Sequence, residues 1–344
     1  MTILGGDELM GKLVAFGEIM LRLSPPGREL LLQTPKLDVW LAGAEANLVT
    51  GLARLGHQVA MVSAVPDNDL GQSALTTLRG HGVDCSGIQL SGERIGLYFV
   101  TSGAGLRATD VIYDRAHSAF AEAATESWAW GKLLDGADRL HLSGITPALG
   151  PVPAQSAITA AKAATERGLP VSFDGNWRGK LWERWDSNPR AILTQLVEHA
   201  DLMFGNHRDI ALLLDKPFSA DGEDRRREAA DAAFAAFPKL QTIASTARHV
   251  VDSDRHRIAA RIDTRAESVQ TEEIEISGIV DRIGAGDAFA VGVLHALRRG
   301  DSIETAAKTG LALTVLKHSL PGDASLFGQR DIDQFVEGGV DVRR

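Results

Sequence analysis

Residues 284–287 combine the side-chain types that transfer of a phosphoryl group would need. Gly284, Ala285 and Gly286 precede Asp287, and the apolar pattern that continues to position 297 predicts a helix starting at the glycines. Glycine lets the backbone approach a bulky anion closely, and the first amides of a helix have no hydrogen-bond partner within it. One interpretation is therefore an anion hole with the Asp287 carboxylate beside it as a base. The other is an ordinary helix start, where the helix dipole favours an acidic residue.

Gly43 and Asn47 lie at the start of the first long predicted helix, which spans positions 44–56. Gly43 lets the backbone approach a ligand, and Asn47 could hydrogen-bond to ligand hydroxyls from the first turns. A plain helix start, with Asn47 as a mildly unfavourable interior residue, is the alternative. We favour ligand binding, because Glu45 and Asn47 add polarity that a buried helix start does not need.

The loop 173–178 carries three polar side chains at alternating positions after a predicted strand. In an extended backbone Asp174, Asn176 and Arg178 point the same way. The guanidinium of Arg178 offers a bidentate fork to a carboxylate or phosphate. An Asp–Arg pair that only holds the loop is the alternative. We favour ligand binding, because binding groups cluster on loops that follow strands.

Two further sets of residues fit both a ligand site and ordinary packing. Tyr98 and Tyr113, the only tyrosines, fall with Arg115 in or beside two predicted strands, where phenol rings could hold a sugar-like ligand. Taken alone, these residues favour cross-strand packing. Asn206 and Asp209 start a predicted helix and could hold Mg²⁺ and phosphates, directly or through water. A near capping box accounts for their spacing without any ligand.

Strands and helices alternate along most of the chain. This alternation predicts an α/β fold with a mostly parallel sheet that helices cover on both faces. Ligands bind beyond the carboxyl ends of such strands. Asp174, Asn206, Thr246 and Gly284 each follow a predicted strand, so we expect them on one rim. A pair of antiparallel strands within 93–115 interrupts the alternation and should stand off the main sheet.

Composition argues against several classes of protein. The formal net charge is −9 over 344 residues, whereas general binders of nucleic acids or membrane surfaces need a basic face. Cys85 is the only cysteine, so an intramolecular disulfide is excluded, as is usual in a reducing compartment. No Cys/His spacing suggests zinc, and no P-loop motif is present. We expect no signal peptide and no membrane helix, and therefore a cytoplasmic protein.

Taken together, the motifs resemble those of the ribokinase-like (PfkB) carbohydrate kinases over positions 12 to 328. The motif at 284–287, the helix start at 42–47, the segment 141–149, and the loop 173–178 with Leu181 and Trp182 carry this resemblance. Within the family, Tyr113 and Arg115 with these segments look like the 2-keto-3-deoxygluconate kinases. The resemblance implies a three-layer α/β/α sandwich over 12–330, with a small β-sheet lid from 19–42 and 93–115. Residues 1–11 and 331–344 are expected to be flexible termini.

The resemblance implies that ATP and Mg²⁺, with a monovalent cation as an optional addition, serve to phosphorylate a sugar acid. Asp287 would accept the proton of the primary hydroxyl, and the amides of 284–286 would form the anion hole. The residues that would bind the sugar acid are Gly43, Asn47, Tyr98, Tyr113, Arg115, Asp174 and Arg178. Two cationic arginines suit a substrate that carries a carboxylate, whereas a neutral sugar would not need them.

The nucleotide side departs from the family pattern. Cofactor contacts would come from Asn206, Ser245, Thr246, Arg248, Gly284, Gly286 and His318, and Asp209 would reach Mg²⁺ through water. Asp209 replaces a longer glutamate, residues 245–248 replace a glycine-rich loop, and Arg282 replaces a frequent threonine. Alternatives are a kinase for 2-keto-3-deoxygalactonate, fructose or a nucleoside, or a non-catalytic sugar or nucleotide sensor. A lid sheet with exposed apolar residues also predicts a homodimer or larger assembly.

Overall fold

Short apolar segments form the central strands of the main sheet and are buried along nearly their whole length, as expected of strands covered on both faces. The structure, a computed structural model, describes residues 11–338. Its strands are β1 Lys12–Phe16, β2 Met20–Ser24, β3 Asp38–Ala42, β4 Val59–Val65, β5 Asp84–Leu90, β6 Gly96–Thr101, β7 Asp110–Asp114, β8 Ala137–Ser143, β9 Val171–Asp174, β10 Leu202–Phe204, β11 Thr242–Val250, β12 Arg255–Thr264, β13 Ser268–Gln270 and β14 Ile274–Ser277.

The main sheet has the strand order β13-β12-β11-β10-β9-β8-β1-β4-β5, with β14 also paired to β12. From β11 to β5 in this spatial order, each strand is parallel to its neighbour. Strands β12, β13 and β14 form an antiparallel edge. Parallel strands require crossover connections, which the helices supply. The helices are α1 Ala44–Arg54, α2 Asp69–Gly80, α3 Trp130–Leu133, α4 Pro151–Glu166, α5 Gly179–Trp182, α6 Pro189–Val197, α7 His207–Leu214, α8 Glu223–Ala236, α9 Ala285–Arg298, α10 Ile303–Lys317 and α11 Gln329–Val336.

Two hydrophobic cores lie on opposite faces of the main sheet. Alternation along β1 illustrates the division, because successive side chains of a strand point to opposite faces. Leu13 and Ala15 pack in one core with α1, α2, α9 and α10, whereas Val14 and Phe16 pack in the other with α4, α6 and α8. The result is the three-layer arrangement that the sequence predicted.

The lid is a separate four-stranded sheet with the order β3-β2-β6-β7. Strand β2 pairs with β6 in parallel, and the other two pairings are antiparallel. Tyr98 and Tyr113 lie opposite each other across β6 and β7, with ring centroids 5.9 Å apart. The predicted mostly parallel sheet and small β-sheet lid are both confirmed.

Several features of the fold differ from the sequence expectation. Strand β5 escaped prediction because its sequence lacks clear apolar alternation, and it lies at one edge of the sheet. The antiparallel pairing of β12 with β13 and β14 was also not foreseen. Helix α11 occupies part of 331–344, the segment expected to be flexible, and its Ile332 is buried. Positions 1–10 and 339–344 lie outside the described residues. Between positions 11 and 338, no helix is long and apolar enough to cross a membrane.

Candidate active site

A cleft of about 1080 Å³ lies where the carboxyl ends of the parallel strands face the lid sheet. Every site residue predicted from the sequence lines this cleft except His318. His318 lines an adjoining cleft of about 630 Å³, which shares Asn206, Thr246, Arg248 and Gly286 with the first. The expectation that ligands bind beyond the carboxyl ends of parallel strands therefore grouped residues that are far apart in the sequence but line one cleft.

The start of α9 has the geometry of an anion-binding loop. Gly284 adopts the left-handed φ of 78°, and a Cβ at this position would lie 1.8 Å from the carbonyl oxygen of Asp323. Only glycine meets both conditions without strain. A Cβ on Gly286 would instead point into open space. The first amides of α9 have no hydrogen-bond partner within the helix and lie at the positive end of its dipole. A phosphoryl group could therefore bind there.

Asp287 lies in the first turn of α9 and is held by a residue from the other end of the chain. Asn47 Nδ2 donates a hydrogen bond of 2.6 Å to Asp287 Oδ2. Burial raises the pKa of Asp287 to about 6, and this hydrogen bond from Asn47 acts in the opposite direction. A carboxylate with this pKa is ionised at neutral pH and basic enough to accept a proton.

Asp174 ends strand β9 on the same wall of the cleft. Its Oδ1 accepts a hydrogen bond from the amide of Asn176, which adopts a left-handed φ of 38°. Burial, together with the neighbouring carboxylates of Asp287 and Asp209, raises the pKa of Asp174 to about 8. Arg178 has the opposite effect on the pKa values of both Asp174 and Asp287. Asp174 thus lies near the carboxyl groups of Asp287 and Asp209, and the guanidinium of Arg178 lies near Asp174 and Asp287.

Asn206 and Asp209 form the capping box that their spacing suggested. Asn206 Oδ1 accepts from the amide of Arg208, and the amide of Asn206 donates to Asp209 Oδ2 over 2.8 Å. Burial raises the pKa of Asp209. Within residues 11–338, no group of three or more His, Cys, Asp or Glu side chains could hold a metal ion by itself. Mg²⁺ is usually held by one or two carboxylates plus waters and phosphates, which the pair Asp174 and Asp209 could satisfy.

The lid side of the cleft changes the expected role of one arginine. Arg115 is buried, and its Nε and Nη2 both donate to the buried carboxylate of Glu18, the former over 2.8 Å. The charge of Arg115 is therefore already balanced, which weakens the expectation that two free arginines face the substrate. Arg178 is exposed, and its Nη1 donates a hydrogen bond to the carbonyl oxygen of Trp177. It is the better candidate for binding an anionic substrate.

Two other lid-side residues lie where the sequence predicted them. Gly43 adopts a φ of 131°, and a Cβ there would lie 2.2 Å from the carbonyl oxygen of Glu18. The Tyr98 hydroxyl donates to the carboxylate of Asp323, while the ring stays at the cleft wall. Gly43 therefore lets the start of α1 pack closely against the loop after β1.

The nucleotide side is rich in arginine. Arg248 and Arg282 line the first cleft beside the anion hole, and Arg248 also lines the second. Burial and the proximity of Arg282 lower the pKa of Arg248. His318 is buried, and its Nδ1 lies 2.7 Å from the carbonyl oxygen of Thr314. Positive charge from these arginines suits the phosphates of a nucleotide in the absence of a glycine-rich loop.

The cleft also contains residues that were not among the predicted site residues, including Glu18, Glu45, Trp177 and Arg282. Glu18 follows the carboxyl end of β1, so it could have been predicted by the same argument that placed ligand sites beyond the ends of the other parallel strands. Glu45 is fully buried, and its Oε2 has no hydrogen-bond partner among the described residues. Burial raises the pKa of Glu45 to about 7, although a hydrogen bond of 2.5 Å from Ser143 opposes this rise.

Known proteins are similar to this chain along nearly its whole length. A family model described as pfkB family carbohydrate kinase matches residues 10–325. A 2-dehydro-3-deoxygalactonokinase of Haloferax volcanii is 32% identical over 331 residues, 96% of this chain and 98% of the relative. The crystal structure of a 2-dehydro-3-deoxygluconokinase from Thermotoga maritima is 35% identical with a TM-score of 0.90, covering 95% of this chain and 100% of that one.

A more distant structural neighbour carries a nucleotide. A ribokinase II structure from Escherichia coli in complex with ATP and Mg²⁺ has a TM-score of 0.80 at 19% identity, covering 96% of this chain and 100% of that one. At this identity the comparison concerns the fold alone. The family match, the two nearer relatives, and the anion-binding loop with its buried carboxylate all agree. The chain therefore belongs to the pfkB family and is a carbohydrate kinase.

Proposed function

We propose that the protein transfers the γ-phosphoryl group of ATP to the primary hydroxyl of a 2-keto-3-deoxy sugar acid, with 2-keto-3-deoxygluconate as the leading substrate. The observation that carries this proposal is the exposed guanidinium of Arg178 close to Asp174 and Asp287. A carboxylate-bearing sugar could neutralise this cation while presenting its far hydroxyl to Asp287. Two relatives named for 2-dehydro-3-deoxy sugar acids, the same compound class, support it.

In the proposed reaction, Asp287 accepts the proton of the substrate hydroxyl as that oxygen attacks the γ-phosphorus, and the bond from this phosphorus to the β–γ bridging oxygen breaks so that ADP leaves. The hydrogen bond from Asn47 fixes the orientation of the Asp287 carboxylate. The first amides of α9 bind the phosphoryl oxygens, on which negative charge is spread during transfer. Cleft residues of the lid exclude water and so limit hydrolysis of ATP.

The residues of the cleft also fit ATP and Mg²⁺. Asp174 and Asp209 are neighbouring carboxyl groups with raised pKa values, so a divalent cation would relieve their mutual repulsion. When bound, Mg²⁺ would supply charge neutralisation to the transferring phosphates. Arg248, Thr246 and Ser245 would hold the nucleotide phosphates, and His318 would lie beyond them in the adjoining cleft. Dependence on ATP agrees with the proposed cytoplasmic location, as does the free, buried Cys85.

A second substrate, 2-keto-3-deoxygalactonate, is favoured by one observation. The Haloferax volcanii relative is named for that sugar acid and is similar along almost its whole length. The two acids differ in the configuration of one carbinol, which a few hydrogen bonds in the cleft must distinguish. Both acids would place a carboxylate near Arg178, so the proposed chemistry is the same for the two.

A turnover panel tests the proposal. We expect ATP consumption with 2-keto-3-deoxygluconate or 2-keto-3-deoxygalactonate to exceed that with fructose, ribose or a nucleoside, and the product to carry phosphate on the primary hydroxyl. The ratio of kcat/KM for the two epimers identifies the preferred acid. Turnover only with neutral sugars would contradict the acid specificity, and ATP binding without any turnover would favour a sensor.

Arg178→Ala tests the contact with the substrate carboxylate. We expect KM for the sugar acid to rise by about 10- to 100-fold, since a charge-assisted contact contributes about 1.5–3 kcal/mol. Weak turnover of a neutral sugar should change little. Arg190→Ala is a matched control, because Arg190 is also surface-exposed but pairs with Asp215 outside the cleft. Equal losses for acid and neutral substrates would contradict the assigned contact.

We also propose that two copies associate through the outer face of the lid. Cross-strand pairing places Leu23 beside Val39 and Phe99, and Phe99 beside Ile112, on the face opposite Tyr98. Val39 and Ile112 are at least half exposed, which leaves an apolar sheet face in water. Light scattering should give the mass of a dimer or larger assembly, and Ile112→Lys should shift it towards the monomer. A monomeric parent protein at micromolar concentration would contradict this.

A further inference from the structure

A buried cluster of four charged residues lies behind the anion hole and takes no direct part in the proposed chemistry. Arg22 of the lid strand β2 and Lys317 of α10 supply the positive charges, and Asp281 and Asp323 supply the negative ones. All four are at least 93% buried, with relative exposures of 2%, 0%, 7% and 4% in that order. Burying charges is costly unless they are paired, so this arrangement needs an explanation.

Arg22 bridges the two carboxylates. Its Nη1 lies 2.5 Å from Asp281 Oδ2 and 2.9 Å from Asp323 Oδ1, while its Nε donates to Ser24 Oγ over 2.8 Å. The Tyr98 hydroxyl, also from the lid, donates to the second oxygen of Asp323. Two neighbouring lid strands therefore converge on one carboxylate of the body.

Asp281 lies in the loop that leads into the anion hole, and Asp323 lies in the loop that packs against Gly284. Asp281 Oδ1 accepts from the amide of Ile283 over 3.0 Å, and Oδ2 accepts from the amide of Gly322 over 3.2 Å. The carbonyl oxygen of Asp323 fills the space where a Cβ of Gly284 would lie. Any movement of Asp281 or Asp323 must therefore move Gly284 and the first amides of α9.

We propose that Arg22 is a positioning residue for phosphoryl transfer, tying the lid sheet to the two loops that set the position of the anion hole. The inference rests on the proposed function, because it assigns the anion hole to the transferring phosphoryl group. Lys317 completes the charge balance, and its Nζ donates to the carbonyl of Leu320 over 3.0 Å. The chain thus supplies its own cations to the buried carboxylates behind the site.

Arg22→Ala tests the proposal. We expect kcat to fall by about 10²-fold, the typical cost of misplacing a catalytic group by 1 Å, while binding of the sugar acid falls much less. Guanidinium ion added to this variant should restore part of kcat, because it can enter the space beside the two carboxylates. Arg22→Lys, which keeps the charge but loses the fork, should retain more activity than Arg22→Ala.

Arg28→Ala is the matched control, because Arg28 also joins the lid region to the body, through an exposed ion pair with Asp254. It should leave kcat unchanged. Thermal unfolding and direct sugar binding establish that each variant is folded, and Arg22→Lys replaces Arg22→Ala if the latter does not fold.

Two results would overturn the inference: a folded Arg22→Ala with parental kcat, or equal losses of kcat and sugar affinity that guanidinium does not restore. Absence of sugar-acid turnover in the unmodified protein would contradict the proposed function instead.

Discussion

Asp287 is the residue on which the proposed chemistry depends most directly, since its carboxylate lies beside the anion hole and within the cleft. Asp287→Asn keeps the size and the polarity of the side chain but removes its basicity. We expect kcat to fall by about 10²- to 10⁴-fold, the usual contribution of a general base. Sugar-acid affinity, measured by direct binding, should stay within a few-fold of the parent value. Near-normal turnover would rule out the assigned role.

Asn47 should influence the pH at which Asp287 acts as the proposed base. Burial raises the pKa of Asp287 to about 6, and the hydrogen bond from Asn47 lowers it. Removal of that bond in Asn47→Ala should raise the pKa further. The acidic limb of the kcat/KM profile should therefore move to higher pH, with a larger loss of activity at pH 6 than at pH 8. An unshifted limb would mean that another group controls the profile.

At the residue scale, sequence reasoning found positions better than it found partners. Asn47, Asp174, Arg178 and Asp287 could be assigned to one site because each follows a strand or opens a helix. The pairing of Arg115 with Glu18 could not be predicted. It depends on whether the folded lid places the guanidinium beside a carboxylate of the protein or beside the substrate. Long-range ion pairs leave no local pattern in the sequence.

At the scale of the element, the two glycines at the start of α9 should respond differently to the same substitution. Gly284→Ala forces a Cβ into the Asp323 carbonyl and a non-glycine residue into φ 78°, so it should lower the Tm and the activity together. Gly286→Ala meets no protein atom within 4 Å. It should keep the parental Tm but lose turnover, because its methyl group enters the space proposed for the phosphoryl group.

Thermal unfolding and steady-state kinetics on both glycine variants check this difference. A stable and active Gly284→Ala would contradict the packing of Gly284 against Asp323. A fully active Gly286→Ala would contradict the position proposed for the phosphoryl group.

Most helices and the central strands could be predicted because apolar periodicity and glycine or proline boundaries agree along them. Helix α9 was predicted to within a residue or so at each end. The edge strands β5, β13 and β14 were missed, because an edge strand packs less and so needs fewer apolar residues. The parallel pairing of β2 with β6 joins segments far apart in sequence, which strand propensity cannot indicate.

At the scale of the whole molecule, buried carboxyl groups should make stability depend on pH. The pKa is about 8 for Asp174 and about 7 for Glu45, whereas unfolded carboxyl groups titrate near pH 4. Between these values the folded state binds more protons than the unfolded state, so stability falls as pH rises. We expect the Tm of the unliganded protein to decrease from pH 7 to pH 8.5.

Asp174→Asn is the test of this dependence, because the amide cannot ionise; it should flatten the decrease in Tm. Burial lowers the pKa of His57 and His256 to about 4, and these residues act in the opposite sense below about pH 6.5. The window above pH 7 therefore isolates the carboxyl groups. A Tm that rises through this window, or an unchanged slope in Asp174→Asn, would contradict the assignment.

The hydrogen bond from Asn47 to Asp287 spans 240 positions of the chain, and the contact of Arg22 with Asp323 spans 301. A protein is synthesised from its N-terminus, so an early segment cannot form a contact with a late segment until the late segment has been made. During synthesis, the lid strands and the first helix are therefore made before Asp287, the proposed anion hole at 284–286 and Asp323. A chain that ends before position 287 therefore lacks the proposed base, and one that ends before position 323 lacks a carboxylate that pairs with Arg22.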